Sequence, residues 1–253
     1  MSFDVPADSY ARFMGQYSEP LAVRFVEVAA VQPGQRALDV GCGPGALTAR
    51  LVERLGAAAV AAIDPSAPFV AATGERLPDV DVRLGVAESI PFPDDSFDAA
   101  LAQLVVHFMA DPVAGLREMA RVTRPGGILA ACVWDHAGDS GPLAAFWQAV
   151  HDIDPDARNE SDLAGAREGH LAELSDAAGL EHIEPTTLTV KVRFATFADW
   201  WEPFTLGVGP AGAYVTRLDE ARRDVLRTRC AQRLPSAPFD ISASAWCVRA
   251  RAS

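Results

Sequence analysis

Ala37-Leu38-Asp39-Val40-Gly41-Cys42-Gly43-Pro44-Gly45-Ala46-Leu47 decides how the chain folds. Ala37, Leu38 and Val40 read as a short buried strand, and three alternating glycines read as a turn. Leu47, Leu51, Val52 and Leu55 then recur at helical spacing until Gly56 stops them. A strand, a glycine turn and a helix together bring bare backbone N–H groups close to a ligand, because glycine has no Cβ to hold it away. Asp39 places a carboxylate near the end of the strand, directed at the space that the glycines clear.

Two ligand classes suit such a turn. Read as G-x-G-x-x-G/A, Gly41, Gly43 and Ala46 would cradle the pyrophosphate of a dinucleotide such as NAD. Asp39 would repel that pyrophosphate, and no Lys or Arg lies between Arg36 and Arg50 to intervene. A ligand carrying an ammonium and a sulfonium would be attracted instead. S-adenosylmethionine (SAM) is such a ligand, and the D-x-G-x-G-x-G string of residues 39–45 resembles motif I of the class I SAM-dependent methyltransferases.

Other segments strengthen the resemblance. Val60 to Ile63 is a second apolar run ending in Asp64, where a carboxylate can accept from both hydroxyls of a ribose; NAD enzymes share that device. Gly85-Val-Ala-Glu-Ser-Ile-Pro-Phe-Pro-Asp-Asp-Ser-Phe-Asp98 is similar to the family's third-strand loop and approach to strand four. Leu101 to Phe108 reads as strand four with the turn after it, and Gln103 lies at its C-terminal end, where open α/β sheets bind ligands. Asp111 to Val122 reads as a capped helix stopped by Pro125, followed by strand five, Ile128 to Trp134. The R-V-x-R-P-G-G ending of residues 121–127 resembles the family's signature before strand five. The likeness covers roughly residues 34–134, and the nearest group is the methyltransferase type 11 set, relatives of the ubiquinone and menaquinone C-methyltransferases.

The resemblance implies an α/β, Rossmann-like, doubly wound sheet of seven strands in the order 3-2-1-4-5-7-6, with strand seven antiparallel. It implies SAM as cofactor, S-adenosylhomocysteine as product, and Tyr17, Asp39, Gly41, Cys42, Gly43, Gly45, Asp64, Pro65, Ala87, Glu88 and Gln103 as cofactor-binding residues. Ala87 and Glu88 would face the adenine. Val86 stands where the family often has Asp, which moves the adenine contact to Glu88.

Beyond Trp134 the texture changes. Residues 135–142 read as a loop, 143–150 and 170–178 as helices, and 152–165 as polar and turn-rich. Thr186 to Thr196 and Ala243 to Ala250 alternate as strands six and seven, with a helix from about Asp219 to Leu234 between them. We read residues 1–253 as one domain: an N-terminal flap and helix (1–33), a cofactor-binding core (34–134) and a small helical lid (197–235).

Tyr10, Phe13 and Tyr17 sit where related sequences carry a flap that closes over the cofactor; the alternative is that they simply pack the first helix, which explains Phe13 equally well. His107 stands at the mouth of the site as a candidate general base, against the alternative of a satisfied structural histidine; His136 has weaker support. His151, His170 and His182 read as solvated. Tyr10, Phe13, His107, Trp134, Trp200 and Trp201 are the candidate substrate pocket. Trp200 and Trp201 are neighbours and point to different sides, so one of them is expected to be exposed or to cover a cavity.

Net charge of −12 disfavours a nucleic-acid partner, which needs a basic face. The histidine spacings and the Asp94–Asp98 turn match no metal motif, so no metal is expected. Four dispersed cysteines suit reduced thiols, and no apolar run approaches the roughly 18 residues of a bilayer span. With no signal-like N-terminus, the reading is a soluble cytoplasmic protein, monomer or homodimer, acting on a small apolar or aromatic acceptor without membrane insertion. The alternatives are a SAM-binding protein without methyl transfer, an NAD-dependent oxidoreductase, and an interaction module with a decayed site.

Overall fold

Ala37–Val40 (β1) and Val60–Asp64 (β2) are buried at every residue, as strands covered on both faces must be. The computed structural model that contains them describes residues 6–253, so the first five residues of the expected N-terminal flap lie outside it. The chain enters through Ala7–Tyr10 (α1), a π-helical turn over Ala11–Gly15, and Gln16–Ala29 (α2). It continues through β1, Ala46–Leu55 (α3), β2, Ala67–Arg76 (α4), Asp81–Leu84 (β3), Phe97–Gln103 (β4) and Pro112–Val122 (α5). Thr123–Trp134 (β5), Ala144–His151 (α6), His170–Ala177 (α7) and Glu181–Phe194 (β6) follow. Phe197–Trp201 (α8), Gly209–Arg217 (α9) and Glu220–Arg233 (α10) precede the final strand, Phe239–Arg251 (β7).

These strands form one seven-stranded sheet in the order β3-β2-β1-β4-β5-β7-β6. The first five are parallel, and β7 runs antiparallel to both β5 and β6. Side chains alternate across it with period two. Ile128, Ala130, Cys132 and Trp134 of β5 join a core with Leu21 and Phe25 of α2 and Leu47 and Leu51 of α3. Leu129, Ala131 and Val133 join the opposite core with Leu116 and Met119 of α5 and Leu171 of α7. The strand order reverses between β1 and β4, and open α/β sheets bind ligands at the carboxyl ends of such neighbours.

Strand boundaries depart from the sequence reading at four strands, including β7, which starts at Phe239 and not at Ala243 because it pairs with β6 as far as Phe194. β4 starts at Phe97, earlier than expected, because Phe97 is buried against Phe92 with ring centroids 5.0 Å apart. β5 starts at Thr123, before the Pro-Gly-Gly of residues 125–127. β6 starts at Glu181 although most of its residues are exposed, because backbone pairing with β7 needs no apolar side chain. The four cysteines are free and buried. No helix among the described residues is long and apolar enough to cross a membrane.

Candidate functional site

The glycine turn is held from two sides. Gly41 and Cys42 both donate backbone N–H groups to the Ile63 carbonyl at the end of β2, at 2.8 and 2.9 Å. Gly41 has φ +72°, and a Cβ there would lie 2.4 Å from Val105 Cγ2, so the tip of β1 tolerates only glycine. Gly43, at φ +52°, faces open space, with nothing within 4 Å of where a Cβ would be. Its N–H donates to Asp64 Oδ2 at 2.8 Å, and its carbonyl accepts from the Thr73 hydroxyl at 2.7 Å. Asp64 Oδ1 accepts from Ser66 N–H at 2.8 Å, so one carboxylate ties the first glycine turn to the start of α4. Burial raises the Asp64 carboxyl above its ordinary range, and these two N–H donors pull it back.

Above the turn lies a cavity of about 480 Å³, within the size range of small-molecule sites. Gly41, Gly43, Asp64, Pro65 and Gln103 line it beside the apolar surfaces of Tyr10, Phe69 and Phe108. Gln103 donates from Nε2 to the Ser18 carbonyl at 3.1 Å, and its buried Oε1 has no partner among the described residues.

Asp39 sits deeper than expected. On its strand it shares the parity of Ala37, which places it on the α3 side; Thr48 of α3 donates to its Oδ2 at 2.6 Å. The residue is 1 % exposed and does not line the cavity, and its Oδ1 has no partner among the described residues. Burial, with a smaller contribution from Asp64, pushes its carboxyl up to about 7, against the hydrogen bond from Thr48. A carboxyl raised in the folded state favours folding at low pH, and that contribution is lost as pH rises from about 4 to about 7. Asp39→Asn keeps the acceptor for Thr48 and removes the titration. In urea unfolding at pH 5 and pH 8, the unliganded wild type is expected to lose about 2–3 kcal/mol relative to this variant. An equal change in both proteins would show that Asp39 titrates normally.

A smaller cavity of about 40 Å³ opens beside the first and shares Tyr10, Leu104 and Phe108 with it. Phe13, His107, Trp134, His136 and Glu160 line it, closed by Val208, Gly209 and Pro210 at the start of α9. His107 lies on the 3₁₀ turn after β4, its ring centroid 5.9 Å from that of His136. Burial, and next the neighbouring His136, hold His107 well below the usual histidine range; burial brings His136 down to about 4. Both rings are therefore neutral near pH 7.

Several expected site residues lie elsewhere. Ala87 packs in the core beneath α5. Glu88 accepts from the N–H groups of Ala110 and Asp111 at 2.6 and 3.2 Å, which turns its carboxylate toward the start of α5 and away from the cavity. Cys42 contributes backbone only, since its thiol is buried beside the Thr73 hydroxyl. Gly45, at φ +84°, serves as the N-cap of α3 and does not line the cavity. Tyr17 is 4 % exposed and packs its ring on Trp134 and Phe194.

Trp200 and Trp201 are both buried, at 2 % and 4 % exposure, and neither lines the two cavities described. The side of α8 that sequence reasoning left open is covered by aromatic rings. His151 and His170 are half-buried and engaged: His151 Nε2 lies 3.0 Å from the Ala157 carbonyl, and His170 Nδ1 accepts from Gly165 N–H at 3.2 Å. Sequence reasoning missed Ser66, Phe69, Val105 and Phe108, which line the larger cavity, and Glu160 in the smaller. Ser66 follows Asp64-Pro65 ahead of a helix and was legible as an N-cap; Glu160 sits in an aperiodic loop with no local signal. Among the described residues no group of three His, Cys, Asp or Glu is placed to hold a metal ion.

Residues 38–131 match the family described as a methyltransferase domain. An uncharacterized methyltransferase of Mycobacterium tuberculosis strain H37Rv is 39% identical over 135 residues, which are 53% of this chain and 52% of that protein. A demethylmenaquinone methyltransferase of Mycobacterium sp. strain KMS is 44% identical over 102 residues, 40% of this chain and 43% of that protein. The chain spans about half the length of the curated relatives it matches. Among solved structures, the YcgJ protein of Bacillus subtilis superposes with a TM-score of 0.61 at 18% identity, covering 92% of this chain and 97% of that one, a likeness of fold.

Proposed function

We propose that the chain, whose residues 38–131 match a methyltransferase domain family, binds S-adenosylmethionine in its larger cavity and directs methyl transfer to a small-molecule acceptor. The observation that carries the reading is Gln103 Oε1, a buried acceptor with no partner among the described residues, in the wall of a ligand-sized cavity onto which the glycine turn and Asp64 open. A ligand rich in N–H donors and positive charge would meet that demand; a pyrophosphate would not, with no Lys or Arg lining the cavity. When bound, S-adenosylmethionine supplies an electrophilic methyl carbon and is released as S-adenosylhomocysteine.

The chain's own residues then bind, orient and exclude water. Gly43 presents backbone with no Cβ in the way. Asp64 keeps free lone pairs on both oxygens for a ribose diol, beside the N–H groups it already accepts. Gln103 offers a polar acceptor to an ammonium from the cavity wall, while Asp39 lies buried behind the turn against Thr48. Tyr10, Phe13 and Phe108 form apolar walls. His107 and His136, held neutral by burial, hydrogen-bond an acceptor molecule more readily than they remove its proton. Residues 197–235 act as the lid through Val208–Pro210, which close the smaller cavity, and the chain works as a monomer or homodimer on a molecule other than nucleic acid.

Calorimetry with S-adenosylmethionine, S-adenosylhomocysteine and NAD tests the assignment. One-to-one binding of the first two and none of NAD is the expected outcome. Tight NAD binding without a response to S-adenosylmethionine would overturn it.

A further inference from the structure

The aromatic and polar side chains of the smaller cavity come from four separate parts of the chain, and the start of α9 closes it. Phe13 comes from the π-helical turn before α2 and His107 from the turn after β4. Trp134 and His136 come from the end of β5, and Glu160 from the loop between α6 and α7. At about 40 Å³ it has room for one small polar group. It is too small for a ring, since an apolar cavity that holds benzene measures roughly 150 Å³. An acceptor molecule would lay its body in the larger cavity and extend a single group into the smaller one.

The polar atoms there define that group. Trp134 Nε1 and His107 Nδ1 are buried, and neither has a partner among the described residues. An indole N–H only donates, so it demands an acceptor. Glu160 is 4 % exposed and its Oε2 accepts from Trp147 Nε1 at 2.6 Å; burial raises its carboxyl to about 7 against that hydrogen bond, so near pH 7 it is present both as acid and as carboxylate. An ammonium would satisfy Glu160 but leave the indole donor unmet, because it has no lone pair. A carboxylate or phosphate would meet the indole but find no positive charge to offset its loss of water, with no Lys or Arg lining either cavity and both histidines neutral. A hydroxyl both donates and accepts.

We propose that the cavity between His107, Trp134, His136 and Glu160 receives a hydroxyl carried on an otherwise apolar acceptor molecule, and selects against anionic and ammonium groups at that position. The inference rests on the proposed function, in which an acceptor binds beside the cofactor cavity. The hydroxyl is a recognition handle; Glu160 and Trp134 are specificity-determining residues.

The test uses four compounds that share a tolyl ring and differ in the group para to its methyl: 4-methylphenol, toluene, 4-methylbenzoate and 4-methylbenzylamine. Each is titrated into the wild-type protein near pH 7.5, with and without S-adenosylhomocysteine, while NMR follows the tryptophan indole N–H resonances. 4-Methylphenol is expected to bind about tenfold more tightly than toluene and to move one indole resonance downfield, with the anion and the amine weaker still. His107→Leu should bring 4-methylphenol and toluene level; if that variant folds poorly, the wild-type series decides alone. Equal binding of toluene and 4-methylphenol, tightest binding of the anion or the amine, or no binding by any probe overturns the proposal. S-adenosylhomocysteine binding is read in the same samples, so failure of the cofactor assignment is seen separately from failure at this cavity.

Discussion

Replacing Trp200 and Trp201 together by alanine is expected to unfold the protein. Their rings build a buried aromatic cluster: Trp200 lies 4.8 Å and Trp201 6.1 Å from Phe204, which stacks on Phe146 at 4.5 Å and meets Phe13 edge-on at 5.0 Å. Phe197 stacks on Trp201 with 13° between the planes. Each Trp→Ala change in a core costs about 3–5 kcal/mol, and two together approach the whole stability of a typical domain, about 5–15 kcal/mol. Urea unfolding followed by circular dichroism measures it, with the single variants as intermediates. A folded double variant with the wild-type midpoint would return the pair to the wall of a binding cavity.

Asp64→Ala is expected to weaken S-adenosylhomocysteine by about a hundredfold while the fold survives. Charge-assisted hydrogen bonds to a ribose diol are worth roughly 1.5–3 kcal/mol, or about tenfold to a hundredfold in affinity. The structure pushes the expectation to the upper end, because the same carboxylate holds the N–H groups of Gly43 and Ser66. Removing it loosens both the glycine turn and the start of α4. Calorimetry on a variant with native circular dichroism is the measurement, and unchanged affinity would place the nucleoside elsewhere. Asp64→Asn, which keeps one acceptor oxygen, should fall between the two.

Local chemistry made the sheet and its glycine turn legible. The apolar runs at Ala37–Val40 and Val60–Ile63 had no other way to bury every residue, and three glycines between a strand and a helix permit few backbone paths. Asp64 at a strand tip and Gln103 at the end of β4 followed from strand position, whereas the crossover between β1 and β4 was implied by the resemblance to the methyltransferase family. Those features depend on a period of two, on φ angles that only glycine adopts freely, and on chain direction. Each is written in a few consecutive residues.

Contacts between distant segments were not legible. Whether Asp39 faced the ligand or the neighbouring helix depended on the register of α3, whose Thr48 claims it. Glu88 was turned away by the N–H groups of Ala110 and Asp111. The burial of both tryptophans required Phe204, Phe13 and Phe146 to arrive from three other elements. The cavity of His107, Trp134 and Glu160 exists only because a loop after α6 and the start of α9 close over the end of β5. A strand and a turn are decided by residues that are neighbours in the chain. A pocket is decided by which far-apart residues win the space between layers, and that competition has no local pattern.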